Sequence, residues 1–193
     1  GEGLAIAPAA LQALQALVLE RLRAFHAASP EEIGPDARRL RRLAAPVEYV
    51  NGATRLRATP APSGLTIALA YEYPHPLVGR QVIELTITPE TYLKEVAPAR
   101  TFGFSHELEA LKKAGLARGG SLDNAIVIGE TEIMAKGGLR FKDELVRHKL
   151  LDLLGDLALA GFRLDGARIE AERPGHAANV NFAKLLIDDL EPQ

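Results

Sequence analysis

Residues Val47 to Tyr71 read VEYVNGATRLRATPAPSGLTIALAY, and this stretch decides the fold class. Val47 to Val50 runs into Asn51-Gly52, a pair suited to a tight turn, and Thr54 to Thr59 returns from it, which predicts a hairpin. Pro60 to Gly64 makes a second turn, and Leu65 to Tyr71 follows as a third strand. Arg80 to Thr88, with Val82, Ile83, Leu85 and Ile87, reads as a fourth. Between the last two, Pro74-His75-Pro76 is a rigid bend in which His75 is an ordinary loop residue. Pro89 to Val96 then opens a helix, with Thr88 as its cap and Pro89 in first position. Four strands followed by helices predict an α+β domain, a two-layer sheet-and-helix sandwich.

Composition narrows the class of function. The 193 residues are 47% hydrophobic and 25% charged with a net charge of −2, enough apolar mass for a core and no basic excess for nucleic acid. No apolar run approaches membrane-spanning length, and no charged-then-apolar leader is seen, so a cytoplasmic protein is expected. With no cysteine, a metal site has to be built from histidine and carboxylates.

Downstream, Asp143 to Ala160, DELVRHKLLDLLGDLALA, is predicted as a helix. Leu145, Val146, Leu150, Leu153, Leu154 and Leu157 form a broad apolar band, and Asp143 is placed to cap its start. His148, Asp152 and Asp156 are spaced four apart, so each lies about 40° around and one turn beyond the last. A histidine and a carboxylate in this relation suit one cation, although surface ion pairs take the same spacing. Arg147 and Lys149 flank His148 and point to an anionic ligand or transition state. Asp156 lies too far along to join the first two and needs another partner. His176 offers one: it opens the last helix, from Gly175 to near Asp189, where a helix N-terminus disfavours a positive imidazole unless a carboxylate compensates.

The remaining segments are simpler. Residues 8 to 27 are helical in pattern and end at His26, which is placed to meet the exposed carbonyls. Arg38, Arg39, Arg41 and Arg42 form a basic run, either a solvated face or an anion site. The texture changes at Pro46, which divides a helical segment 1–45 from a domain 46–193. Ser105 is expected to cap a helix His106 to Ala114, Gly119-Gly120 to turn the chain, and 124–128 and 162–172 to be strands.

Five ordered motifs carry a family resemblance. They are Arg100-Thr101-Phe102-Gly103-Phe104, Gly119 to Val127, Gly138 to Glu144, His148 to Asp156, and Gly175-His176-Ala177, preceded by Tyr73-Pro74-His75-Pro76. In order and spacing they resemble UDP-3-O-acyl-N-acetylglucosamine deacetylase, the zinc amidase of lipid A synthesis. The resemblance implies the second of two similar α+β domains, with an inserted β-α-β unit at about 101–128. It implies Zn2+ held by His148 and Asp152, with Lys149 on the substrate and oxyanion and Thr101 steadying the tetrahedral oxygen. It further implies Phe102 as a substrate contact and His176, paired with Asp156, as the general acid. Leu108, Leu111 and Leu116 are placed either along an acyl-chain passage or in ordinary core packing. The family's Glu-His pair, which supplies the general base and third zinc ligand, has no counterpart in residues 1 to 45, which read as a remnant of the first domain. Two readings follow: the rear part of a zinc deacetylase acting on a UDP-sugar acyl-lipid, or a relative that binds sugar nucleotide without hydrolysis. The chain alone is expected to be weak or inactive, and to self-associate through the face a first domain would cover.

Overall fold

In the computed structural model, residues 39–107 and 124–189 are described, all within one unit spanning Arg38–Gln193. The expectations for residues 8–27, His26, Arg38, Leu108, Leu111, Leu116 and Gly119-Gly120 lie outside these residues.

The hairpin forms where the Asn-Gly turn puts it. Strands β2 (Val47–Asn51) and β3 (Thr54–Pro60) pair antiparallel with Asn51 opposite Thr54, and Gly52 takes the positive φ of 58° that favours glycine. β4 (Leu65–Tyr73) and β5 (Gly79–Thr86) form a second antiparallel pair across the Pro74–Pro76 bend. Thr88 caps the short helix α1 (Pro89–Thr91) in a reciprocal box with Thr91, and the chain continues into a π turn, Tyr92–Val96. Beyond it come β6 (Thr101–Phe104), β7 (Ala125–Ile128), β8 (Ile133–Met134) and helix α2 (Glu144–Ala158). Strands β9 (Phe162–Leu164) and β10 (Ala167–Glu172) and helix α3 (His176–Asp189) follow.

Three expectations need correction. The single strand 162–172 is broken at Asp165-Gly166 into β9 and β10, which lie in different sheets. Gly166 makes the break possible: its φ is +64°, and a Cβ there would lie 2.6 Å from the Ala61 carbonyl oxygen. Asp143 precedes α2 but makes no capping bond, because its carboxylate takes the Arg147 Nε–H at 2.7 Å instead. The fold also begins before Pro46. Arg39–Arg41 is a strand, β1, parallel to β9, and Leu43 is buried in the core. Within the basic run, Arg42 is tied to Asp165, whose carboxyl is held below its ordinary range by the Gly64 N–H and by that guanidinium.

The main sheet runs β2-β3-β10-β4-β5, with β10 antiparallel to β3 and parallel to β4. One face turns Leu56, Ala58, Ile67, Leu69, Ile169 and Ala171 inward against α2 and α3. Those helices answer with Val146, Leu150, Leu153, Phe182 and Leu186, giving the expected sheet-and-helix layering. The other face is solvated. Arg80–Glu172 and Arg168–Glu84 reach across β4 in paired hydrogen bonds of 2.7–3.0 Å, passing over the small Ala68 and Ala70. A second sheet, β6-β7-β8, packs Ile126 and Ile128 against Tyr73 and Leu145. Its β6–β7 pair is parallel, Thr101 opposite Ala125, and residues 105–107 are helical.

Candidate active-site cleft

Helix α2 positions the cleft because its register separates two kinds of side chain. With Leu145, Val146, Leu150 and Leu153 committed to the core, His148, Lys149 and Asp152 fall at its margin, with side chains 16%, 20% and 15% exposed. They join Tyr71, Tyr73, Thr101, Phe102 and His176 around a concavity of about 530 Å³. Thr101, at the exposed start of β6, sits on the rim.

The His148 imidazole is oriented from behind. Its Nδ1 lies 3.2 Å from the Ala99 carbonyl oxygen, which can only accept, so Nδ1 carries the proton and the neutral ring keeps its lone pair on Nε2. Nε2 lies 3.4 Å from Asp152 Oδ1. That is long for an N–H···O bond, yet it fits two donors on one tetrahedral ion, which at about 2.0–2.1 Å from zinc stand roughly 3.3 Å apart. The donor set therefore fits two ligands of a zinc site. Among the described residues, no group of three or more His, Cys, Asp or Glu converges to complete it.

The cation beside this pair is held by three groups. Lys149 Nζ lies 3.1 Å from Asp152 Oδ2, 5.5 Å from the centre of the Phe102 ring and 6.0 Å from that of Tyr71. Phe102 also meets His148 and Tyr73 edge-on, at 6.1 and 5.4 Å between ring centres, so it braces the site as well as lining it. Tyr73 is buried, which pushes its phenol above the ordinary value, with Tyr71 and Asp152 adding to the effect; its hydroxyl has no hydrogen-bond partner among the described residues.

On the far side of the cleft, His176 Nδ1 lies 2.9 Å from Asp156 Oδ2. The same oxygen accepts from Asn179 Nδ2 at 2.9 Å. The structure thus brings His148, Lys149, Asp152, Thr101, Phe102 and His176 to one cleft, with Asp156 behind His176. Sequence reasoning missed Asn179, which is fully buried and one helical turn beyond His176; that spacing was its only local signal. It also missed Arg100 and Glu144, buried partners 44 residues apart with no local signal to join them.

Burial alone would raise the Glu144 carboxyl. Hydrogen bonds from the Arg100 side chain and from the backbone N–H groups of Arg100 and Arg140 outweigh it and hold the carboxyl below its ordinary range. A carboxyl depressed in the fold contributes stability that is complete above its unfolded pKa, about 4.5, and is lost as pH falls through the folded value. The thermal midpoint is therefore expected to hold between about pH 7 and 5 and to drop below about 4.5. A flat profile down to about pH 3 would contradict this account.

The family model described as LpxC, UDP-3-O-acyl N-acetylglycosamine deacetylase, matches residues 23–188. The chain belongs to that family. A relative named UDP-3-O-acyl-N-acetylglucosamine deacetylase in Nitratidesulfovibrio vulgaris is 47% identical over 150 residues, 78% of this chain and 48% of its own length. Its namesake in Oleidesulfovibrio alaskensis is 44% identical over 80% of this chain and 50% of its own. A third, in Thermodesulfovibrio yellowstonii, is 42% identical over 76% and 49%. The chain thus spans about half the length of these curated deacetylases.

Proposed function

We propose that this deacetylase-family chain supplies one side of a zinc-dependent site that hydrolyses the acetamide of UDP-3-O-acyl-N-acetylglucosamine. The observation that carries the reading is the 3.4 Å separation of His148 Nε2 and Asp152 Oδ1, two donors spaced for one ion. Zinc bound there supplies Lewis-acid polarisation and makes water a nucleophile near neutral pH. The chain's own residues supply the rest. Lys149 brings a fixed positive charge to the carbonyl oxygen as negative charge develops on it, and the Thr101 hydroxyl donates to the same oxygen. As the C–N bond breaks, the leaving amine takes a proton from Nε2 of the protonated His176 ring. Asp156 keeps Nδ1–H engaged, which leaves Nε2 as the nitrogen that delivers the proton. Phe102 offers an apolar wall to the sugar or its acyl chain.

A third ligand and a general base are not among these residues. That favours, as a second reading, a chain that binds sugar nucleotide without hydrolysing it. Zinc titration against a chromophoric chelator separates the two when combined with an assay of acetate release from UDP-3-O-acyl-N-acetylglucosamine. The first reading expects one equivalent of zinc, lost in Asp152→Asn, with weak or no turnover by this chain alone. Robust turnover by the chain would mean that a ligand has been misplaced. Sugar-nucleotide binding that ignores zinc would favour the second reading. We assign the chain to the cytoplasm; no helix among the described residues is long and apolar enough to cross a membrane. Leu159, Leu185 and Ile187 are exposed on or beside the helices, and self-association through them is expected. Light scattering that shows a monomer at high concentration would refute it.

A further inference from the structure

We infer that the buried Arg100–Glu144 pair is a positioning device for His148, locking the segment 99–101 in register with helix α2 so that the imidazole presents Nε2 to the cleft. The inference rests on the reading of His148 as a metal ligand. The two side chains are 4% and 0% exposed, and every nitrogen and oxygen at their charged ends is hydrogen-bonded. Glu144 Oε1 accepts from Arg100 Nε at 2.9 Å and from the Arg100 backbone N–H at 3.0 Å. Oε2 accepts from Arg100 Nη2 at 3.1 Å and from the Arg140 N–H at 2.6 Å. The guanidinium also donates to the carbonyls of Lys136 and Gly138, at 3.1 and 2.7 Å. One pair thus gathers the entry to β6, the 136–140 turn and the first turn of α2.

Stability does not account for such a pair, since buried ion pairs gain little over apolar residues of similar size. Register does. Glu144 and His148 are one turn apart on α2, and their partners, residue 100 and the Ala99 carbonyl, are adjacent in the chain. The segment is therefore fastened to the helix by two rungs. The first is a charged, buried fork. The second is a 3.2 Å bond from His148 Nδ1 to Ala99 O, which sets the tautomer of the ring while Phe102, edge-on at 6.1 Å, braces its tilt. Residue 101, next along, is the cleft-rim threonine. Without the fork, the segment keeps the Ala99 N–H bond to the Val96 carbonyl and the β6–β7 ladder but loses its charged tie to α2, so the Ala99–His148 distance loosens.

The test is the apolar double variant Arg100→Met/Glu144→Leu, which removes the rung without stranding a buried charge. It also deprives the Arg100 and Arg140 backbone N–H groups and the Lys136 and Gly138 carbonyls of these partners, so its thermal midpoint is expected to fall by several degrees while the protein stays folded. Zinc affinity should fall about 10- to 100-fold, as when an outer partner of a ligating histidine is lost. Nitrogen-15 NMR of the neutral rings should show His148 changing from one Nδ1–H tautomer to a mixture, while His176, held by Asp156, keeps its signature. A folded double variant with wild-type zinc affinity and an unchanged His148 tautomer would overturn the inference. If wild-type protein binds no zinc, the tautomer still decides: a shift at His148 alone supports positioning and sinks only the metal reading. Should the double variant fail to fold, Arg100→Lys keeps the charge but loses the fork to Lys136 and Gly138. Intermediate values in both readouts are then expected, and wild-type values in both would refute the proposal.

Discussion

His148→Ala is expected to strip the chain of zinc, whereas His176→Ala leaves the metal content nearly unchanged. Among the described residues two donors meet at the proposed ion, so deleting the imidazole leaves a single carboxylate there, and Lys149 at 3.1 Å from Asp152 then competes for it as a fixed counter-charge. Affinity should drop by well over about 100-fold. In the proposed division of roles His176, hydrogen-bonded to Asp156 beside Asn179, is assigned to proton delivery and not to the ion. Its loss should appear in whatever acetate release the wild-type chain retains, since removing a general acid costs about 10²- to 10⁴-fold. Metal analysis after dialysis reads the first effect directly. Equal zinc losses in the two variants would overturn this division of roles.

Phe182→Ala is expected to destabilise the domain by about 3–5 kcal/mol, the usual cost of truncating an aromatic ring in a packed core. Phe182 is fully buried on α3 and packs against the main-sheet core. Its surroundings include strands on one side and α2 on the other, so collapse around the void is limited. A small domain holds only about 5–15 kcal/mol in total, so urea denaturation should show a large fall in the midpoint. The same helix carries His176 and Asn179, so loosening it should also weaken the bond to Asp156. Leu93, 67% exposed in the π turn, is the control: Leu93→Ala should change stability by no more than about 0.5 kcal/mol. If the two variants unfold together, the core has been assigned to the wrong residues.

Much of the site was legible because its parts are local. His148 and Asp152 share one helix four residues apart, and helical geometry by itself puts them on one side. Thr88-Pro89 announced a helix start through side-chain chemistry that reaches only three residues. Asp143 shows the limit of such rules. It has the right residue type in the right place, but Arg147, itself drawn to Glu95 across the fold, takes its carboxylate away.

What the sequence determined alone is therefore what short range governs: the Asn51-Gly52 hairpin, the apolar band of α2, the His-Asp spacing and the ordered motifs of a deacetylase. Only the tertiary structure decided that β10 slides between β3 and β4, because Ala167, Ile169 and Ala171 find cover there from both helices and complete two ladders at once. It also decided the Arg100–Glu144 fork and the Asn179 support behind His176. Those contacts join residues distant in the chain, and they form only where burial removes water as the competing partner.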